Sequence, residues 1–206
     1  MIISELQYFP PVDFVSALFE ESYIYLDIYE PYRKMSFRNR CMIAGAQGII
    51  SLSVPLQEGR NQRLQMKDVL ISNAENWQGR HLKSLCSAYS RSPFFEYYVD
   101  ELSQIYQKPV EKLTDWNLVC LNWIKEKLAW KIQWHLTEGP VPFQDENFED
   151  QRNRLLPKNY KEFDSLRYRQ VFEERTGFFP NLSILDLLFN AGPGTPEELT
   201  KSGRDR

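Results

Sequence analysis

The sequence predicts an α/β protein: a Rossmann-like layered fold, with a mostly parallel sheet, an inserted β-hairpin, flanking helices and a C-terminal helical segment. Three observations predict it. The chain opens strand–helix–strand, a unit that pairs its strands in parallel and lays its helix on the sheet. A little further on, two stretches of strand-forming residues flank a short loop with glycine at both ends, which reads as an antiparallel hairpin. Beyond Ser72 the apolar residues recur mainly at helical spacing.

Taken in order, Met1 to Leu6 is a short strand running into Gln7-Tyr8-Phe9-Pro10-Pro11. A proline pair suits the first turn of a helix, where a missing N–H costs nothing. Val12, Val15, Leu18 and Phe19 continue that helix, and Tyr23 to Leu26 is a second buried strand ending at Asp27. Arg38 to Ala44 and Ile49 to Pro55 are the hairpin strands around Gly45-Ala46-Gln47-Gly48. The helix after Trp77 carries Leu82, Leu85, Cys86 and Tyr89 on its apolar stripe, and Ser92-Pro93 ends it. Helices follow from Phe94 to about Gln107 and from Trp116 to Ile124, then a strand within Lys131 to Thr137. Residues 1–137 are thus an α/β core, 138–192 a helical extension packed on it without a sheet element, and 193–206 a polar flexible tail. Ser183 opens the last apolar helix and Gly192 closes it.

The 206 residues suffice for one domain with a substantial core. An aromatic share of 14% implies a bulky interior or pockets lined with rings. A net charge of −3 argues against a general nucleic-acid binder. Cys41, Cys86 and Cys120 are widely spaced in apolar stretches, and neither they nor the two histidines have metal-ligand spacing, so no metal is assigned and the cofactor is left open. With no signal-peptide pattern and no apolar run near twenty residues, the expectation is a cytoplasmic protein, off the membrane and of undetermined oligomeric state.

Function points to the ends of the parallel strands, where open α/β sheets take their ligands. Gln7, Tyr8 and Asp27 fall there, though without the glycine-rich turn of a dinucleotide or P-loop fold. Arg33, Lys34, Arg38 and Arg40, with Asn39 among them, crowd one short run of an acidic chain. Guanidinium groups match phosphate or carboxylate in a two-point fashion. Strand alternation puts Arg38 and Arg40 on one face, where they could grip one anion or simply be solvated. His81 lies roughly 80° from the centre of its helix stripe, on a half-sheltered flank suited to a general acid or base and equally to a structural hydrogen bond.

A series of short motifs completes the reading: Gln7-Tyr8-Phe9-Pro10, Leu26-Asp27, Tyr32-x-Lys34, Arg38-Asn39-Arg40, Leu52-x-Val54-Pro55, Asn76-Trp77-x3-His81, Tyr89-x3-Pro93-Phe94-Phe95, Asp115-x-Asn117, Tyr168-x-Gln170 and Leu182 to Gly192. In this order they resemble the WbqC-like family of bacteria, in the variant of Bacteroides-type organisms. The resemblance implies an association with O-antigen and other surface-polysaccharide gene clusters and a transferase activity, with glycine as a suggested transferred group. Two features depart from it: Pro11 replaces a common aromatic residue, and the polar stretch Glu138 to Arg154 replaces a longer family segment.

On this basis the expected substrate is a small phosphate- or carboxylate-bearing molecule, an anionic or nucleotide-linked sugar that receives a glycyl or similar small group. His81, Asp27 and Lys34 are the catalytic candidates: a proton acceptor, its orienting carboxylate and a cation that neutralises developing charge. Gln7, Tyr8, Tyr32, Arg38, Asn39, Arg40, Tyr89 and Asn117 form the expected substrate-binding set. The competing expectation is a binding or scaffold protein that uses the same basic site without chemistry.

Overall fold

The computed structural model describes residues 1–163 and 165–204, and within them the α/β layout holds. Four parallel strands, β1 (Ile2–Glu5), β2 (Tyr23–Asp27), β5 (Gln133–Leu136) and β6 (Glu149–Asp150), stand in the order β5-β2-β1-β6. The hairpin of β3 (Arg40–Gly45) and β4 (Gly48–Ser53) is a separate two-stranded sheet, with Gly45 opposite Gly48 at its turn. The chain steps outward from β1 to β2 to β5 and then crosses to the other side of β1. That reversal places a topological switch point between β1 and β6, the position at which Rossmann-like sheets open a crevice beyond their carboxyl ends.

Helix α1 (Val12–Leu18) connects β1 to β2. Between the hairpin and β5 run α2 (Trp77–Tyr89), α3 (Phe95–Gln107) and α4 (Leu113–Lys127). Asn76 caps α2, its side chain accepting from the Gly79 N–H. Asn73 accepts from the Trp77 indole. A short α5 (Glu173–Thr176) precedes α6 (Ile184–Ala191), which packs on α3 and β3. Gly192 ends α6 at φ +55°, and a Cβ there would lie 2.4 Å from the Phe94 ring, so glycine is required twice over.

Two expectations for the C-terminal third are corrected. Residues 138–192 do contain a sheet element, because β6 joins the parallel sheet. Its Glu149 and Asp150 have no strand-forming character; Glu149 N–H donates to the Met1 carbonyl and Gln151 N–H to the Ile3 carbonyl, so backbone pairing alone recruits them. Likewise, residues 195–204 form α7 (Thr195–Arg204), which lies against α1 and buries Leu199 completely, where a flexible tail was expected.

Most of the aromatic residues pack into the core. Tyr8, Phe9, Trp77, Tyr106, Trp116 and Trp123 meet one another between the end of β1 and helices α2, α3 and α4. This cluster seals one side of the β1 end and leaves the other side to charged groups.

Candidate functional site

In-register pairing of β1 with β2 sets Glu5 directly beside Asp27, both buried. Two such carboxylates need compensation, and the chain supplies it from far away in sequence. Arg152, two residues past β6, donates from Nη1 to Asp27 and to the Val141 carbonyl, from Nη2 to Asp150 and to the Pro142 carbonyl, and from Nε to Asp150. All three of its nitrogens are engaged, which makes it a clamp between the sheet and the 141–143 loop. Asp27 is equally occupied: its Oδ1 accepts from the Tyr29 and Glu30 N–H groups and from Thr137 Oγ1. Glu5 accepts from Gln7 Nε2 and from the Asn153 N–H.

Arg38 is a second buried cation. It lies in the turn before β3, which begins only at Arg40, so the expected shared face of Arg38 and Arg40 does not form. Nε and Nη2 grip the two Glu30 oxygens at 2.7 and 2.5 Å, and Nη2 also donates to Asn153 Oδ1 at 3.1 Å. With 0% of its side chain exposed, Arg38 is locked in an internal pair. Burial pushes the Glu30 carboxyl above its usual range; Arg38 pulls it back only partly, and Glu5 and Asp27 push it further up.

Beside this network opens a basin of about 680 Å³, lined by Glu30, Pro31, Tyr32, Arg33, Lys34, Asn61, Gln62, Arg63, Phe143 and Asn153. Glu30 follows the end of β2 and Asn153 the end of β6, so the basin sits outside the strands' carboxyl ends, at the switch point. Segment 28–32 is tied to 64–67 by the Tyr32, Met66 and Lys67 N–H groups, which brings Arg63 opposite Arg33 and Lys34. Lys34 Nζ reaches Asn61 Oδ1 across the rim at 3.2 Å. Among the described lining residues three cations, Arg33, Lys34 and Arg63, face one carboxyl, which Arg38 already pairs. A larger cleft of about 1050 Å³ lies around Arg91, Arg167 and Arg169, but Glu173 and Glu174 pair with the last two, so its charge is offset.

The sequence-predicted residues divide sharply. Tyr32 and Lys34 line the basin, Arg38 braces it through Glu30 and Asn153, and Asn39 accepts from the Tyr32 hydroxyl. Arg40 is half-buried at the start of β3, with its Nε unpartnered among the described residues. Gln7 is buried against Glu5, and Asn117 donates to the Leu6 and Arg38 carbonyls, which ties α4 to the loop after β1.

His81 does not line the basin. It is 6% exposed, and its flank, expected to be half open, is covered by Tyr8 and Tyr106. Nδ1 lies 3.0 Å from the Tyr8 hydroxyl, which also meets the Tyr106 hydroxyl, and the ring bonds to the Ser53 backbone on its other side. Which of Tyr8 and His81 donates in their shared bond follows from the tautomer of the ring. Burial lowers the imidazole pKa to about 4, against a weaker opposing effect of the Ser53 backbone.

Tyr89 is also sealed, donating at 2.6 Å to Asp186, which accepts from Tyr168 as well. Burial raises the Asp186 carboxyl to about 6 although both tyrosines favour its charged form. Nothing in the sequence signals this role, because Asp186 reads there as part of the capping box that Ser183 opens. Glu30, Arg63, Phe143, Arg152 and Asn153 were missed as well; only Glu30, one residue before Pro31 and close to the basic run, stood near a recognised feature.

The sequence profile of the WbqC-like protein family matches residues 7–149 and 137–198. An uncharacterised protein of Mycobacterium tuberculosis is 28% identical over 213 residues, covering 89% of this chain and 89% of that protein. No solved structure is significantly similar. Among the described residues no helix is long and apolar enough to cross a membrane.

Proposed function

The chain belongs to the WbqC-like protein family, and from that premise we propose that it is a cytosolic transferase that takes a small phosphate- or carboxylate-bearing substrate in the basin at the carboxyl ends of β1, β2 and β6. One observation carries the reading: three cations with no ion-pair partner among the described residues, Arg33, Lys34 and Arg63, wall an open basin with a buried carboxyl at its edge. The surface-polysaccharide setting and a glycyl-type transferred group rest on the family likeness alone.

In the proposed reaction Arg33 and Arg63 hold the anion, and Lys34 neutralises the charge that develops on the departing or acyl oxygen. Glu30 takes the proton from the attacking amine or hydroxyl as the new bond forms, and the leaving group departs with its electron pair into the cationic wall. Its raised pKa makes it a stronger base than an ordinary carboxylate, and Arg38 fixes its orientation. The test is turnover with nucleotide-sugar and aminoacyl donors, read by mass spectrometry, in the wild type, the Arg33/Lys34/Arg63 triple alanine and Glu30→Gln. A loss of at least ~100-fold in both variants is expected; unchanged turnover in the triple variant removes the basin from the reaction.

A second reading, a binding module without chemistry, is favoured by one specific feature: both Glu30 oxygens are held by Arg38, and the other expected acid–base groups, His81 and Asp27, are sealed. Anion-dependent thermal stabilisation without product from any donor would select it.

A further inference from the structure

Resting on the basin as the binding site, the geometry points to the class of its ligand: we propose a nucleoside diphosphate, with its base stacked on Phe143 and its phosphates held by Arg33, Lys34 and Arg63. Phe143 lines the basin and is 56% exposed, an unusual position for a phenyl ring beside three cations. Its placement is fixed. Arg152 binds the carbonyls of Val141 and Pro142, is anchored in turn to Asp27 and Asp150, and stacks its guanidinium over one face of the ring, 4.3 Å from the centroid. With one face covered by Arg152, the other is the one left for a ligand, and the clamp removes most of the entropy a free ring would lose on binding.

The covered face also selects what can stack. A cation behind a phenyl ring draws electron density away from the open face. Sugar C–H groups, which carry partial positive charge, prefer an electron-rich face, whereas the flat, electron-rich surface of a nucleobase gains from a depleted one. Size agrees: about 680 Å³ lies in the range of small-molecule sites and exceeds what phosphate alone requires. Placing the base on Phe143 directs the diphosphate inward to the cations and leaves its terminal oxygen toward Glu30, where a transferred group would be attached.

The test is isothermal titration calorimetry of the full chain with uridine diphosphate, adenosine diphosphate, pyrophosphate and glucose 1-phosphate, repeated in Phe143→Leu, Phe143→Trp and the Arg33/Lys34/Arg63 triple alanine. Expected are at least about tenfold tighter binding of one or both nucleoside diphosphates than of pyrophosphate, loss of that margin in Phe143→Leu and its retention in Phe143→Trp. The triple variant should lose all four ligands. Equal binding of pyrophosphate and both nucleotides, or unchanged nucleotide affinity in Phe143→Leu, overturns the stacking assignment while leaving the basin as an anion site. A gain for glucose 1-phosphate over pyrophosphate that vanishes in Phe143→Leu overturns the base in favour of a sugar. If the wild type binds none of the four, the basin reading falls, and this inference with it.

Discussion

Two polar assemblies flank the end of β1 and obey different rules. On one side, Glu5, Asp27, Glu30, Arg38 and Arg152 form a charged network that opens onto a basin. On the other, Tyr8, His81 and Tyr106 form a neutral chain inside an aromatic core. Successive residues, Gln7 and Tyr8, belong one to each. The contrast separates an open wall from a brace: charges are tolerated in the interior where they border a basin, whereas neutral hydrogen bonds suffice to fasten helices. Motif residues serve both purposes, so belonging to a motif does not say which.

Breaking the charged side should have the largest effect. Arg38→Ala leaves Glu30 buried beside Glu5 and Asp27 without its partner, and Arg152→Ala does the same to Asp27; each should cost about 3–5 kcal/mol in chemical denaturation. A cost below about 1 kcal/mol would mean that the carboxyls are already neutral, and the distinction between the two assemblies would disappear.

The neutral side is sharpened by acid. His81 has a folded pKa of about 4, below its unfolded value near 6.5. The unfolded chain therefore binds more protons between these values, and the stability His81 contributes is complete above pH 6.5 and lost as pH falls toward 4, amounting to about 3 kcal/mol. Asp186, raised to about 6, works in the opposite sense: its contribution is present below its unfolded pKa and lost as pH rises through 6. Comparing wild type with His81→Gln across pH 4 to 7 isolates the histidine. The difference in stability between the two should change with pH in that window; a constant difference would show that the ring titrates normally and is open to solvent.

Tyr8→Phe should cost about 1–3 kcal/mol, because it leaves the His81 Nδ1 and the Tyr106 hydroxyl without their partner. The smallest stability effect belongs to the basin wall. The Arg33/Lys34/Arg63 triple alanine should stay within about 0.5 kcal/mol per site of wild type in denaturation, since these cations hold no buried partner among the described residues. A large loss would make them structural and erase the difference between wall and brace.

The elements are legible where one face decides the pattern, as in the stripe of α2, which buries Leu85 and Tyr89; the alternation along β4 is a weaker guide, since Leu52 is buried but Ile50 is exposed. Arg38 was not, because its partner, Glu30, is close in sequence but on the far side of a turn, and strand alternation was extended two residues too far. His81 shows the limit of helix geometry: its angle on α2 places it on a flank, but the rings that cover it come from the loop after β1 and from α3. Tyr32 and Lys34, which the sequence picks out because they belong to a basic run, line the basin. Arg152 and Phe143 lie in a polar stretch whose meaning comes only from contacts with Asp27 and the sheet, more than a hundred residues upstream.

That distance has a consequence for synthesis. Until residues 152 and 153 have been made and released, Asp27 and Glu5 have neither the Arg152 guanidinium nor the Asn153 amide that meets them in the finished fold. The nascent protein must therefore keep these carboxylates wet until β6 emerges, and the last strand arrives together with the countercharge that allows them to dry.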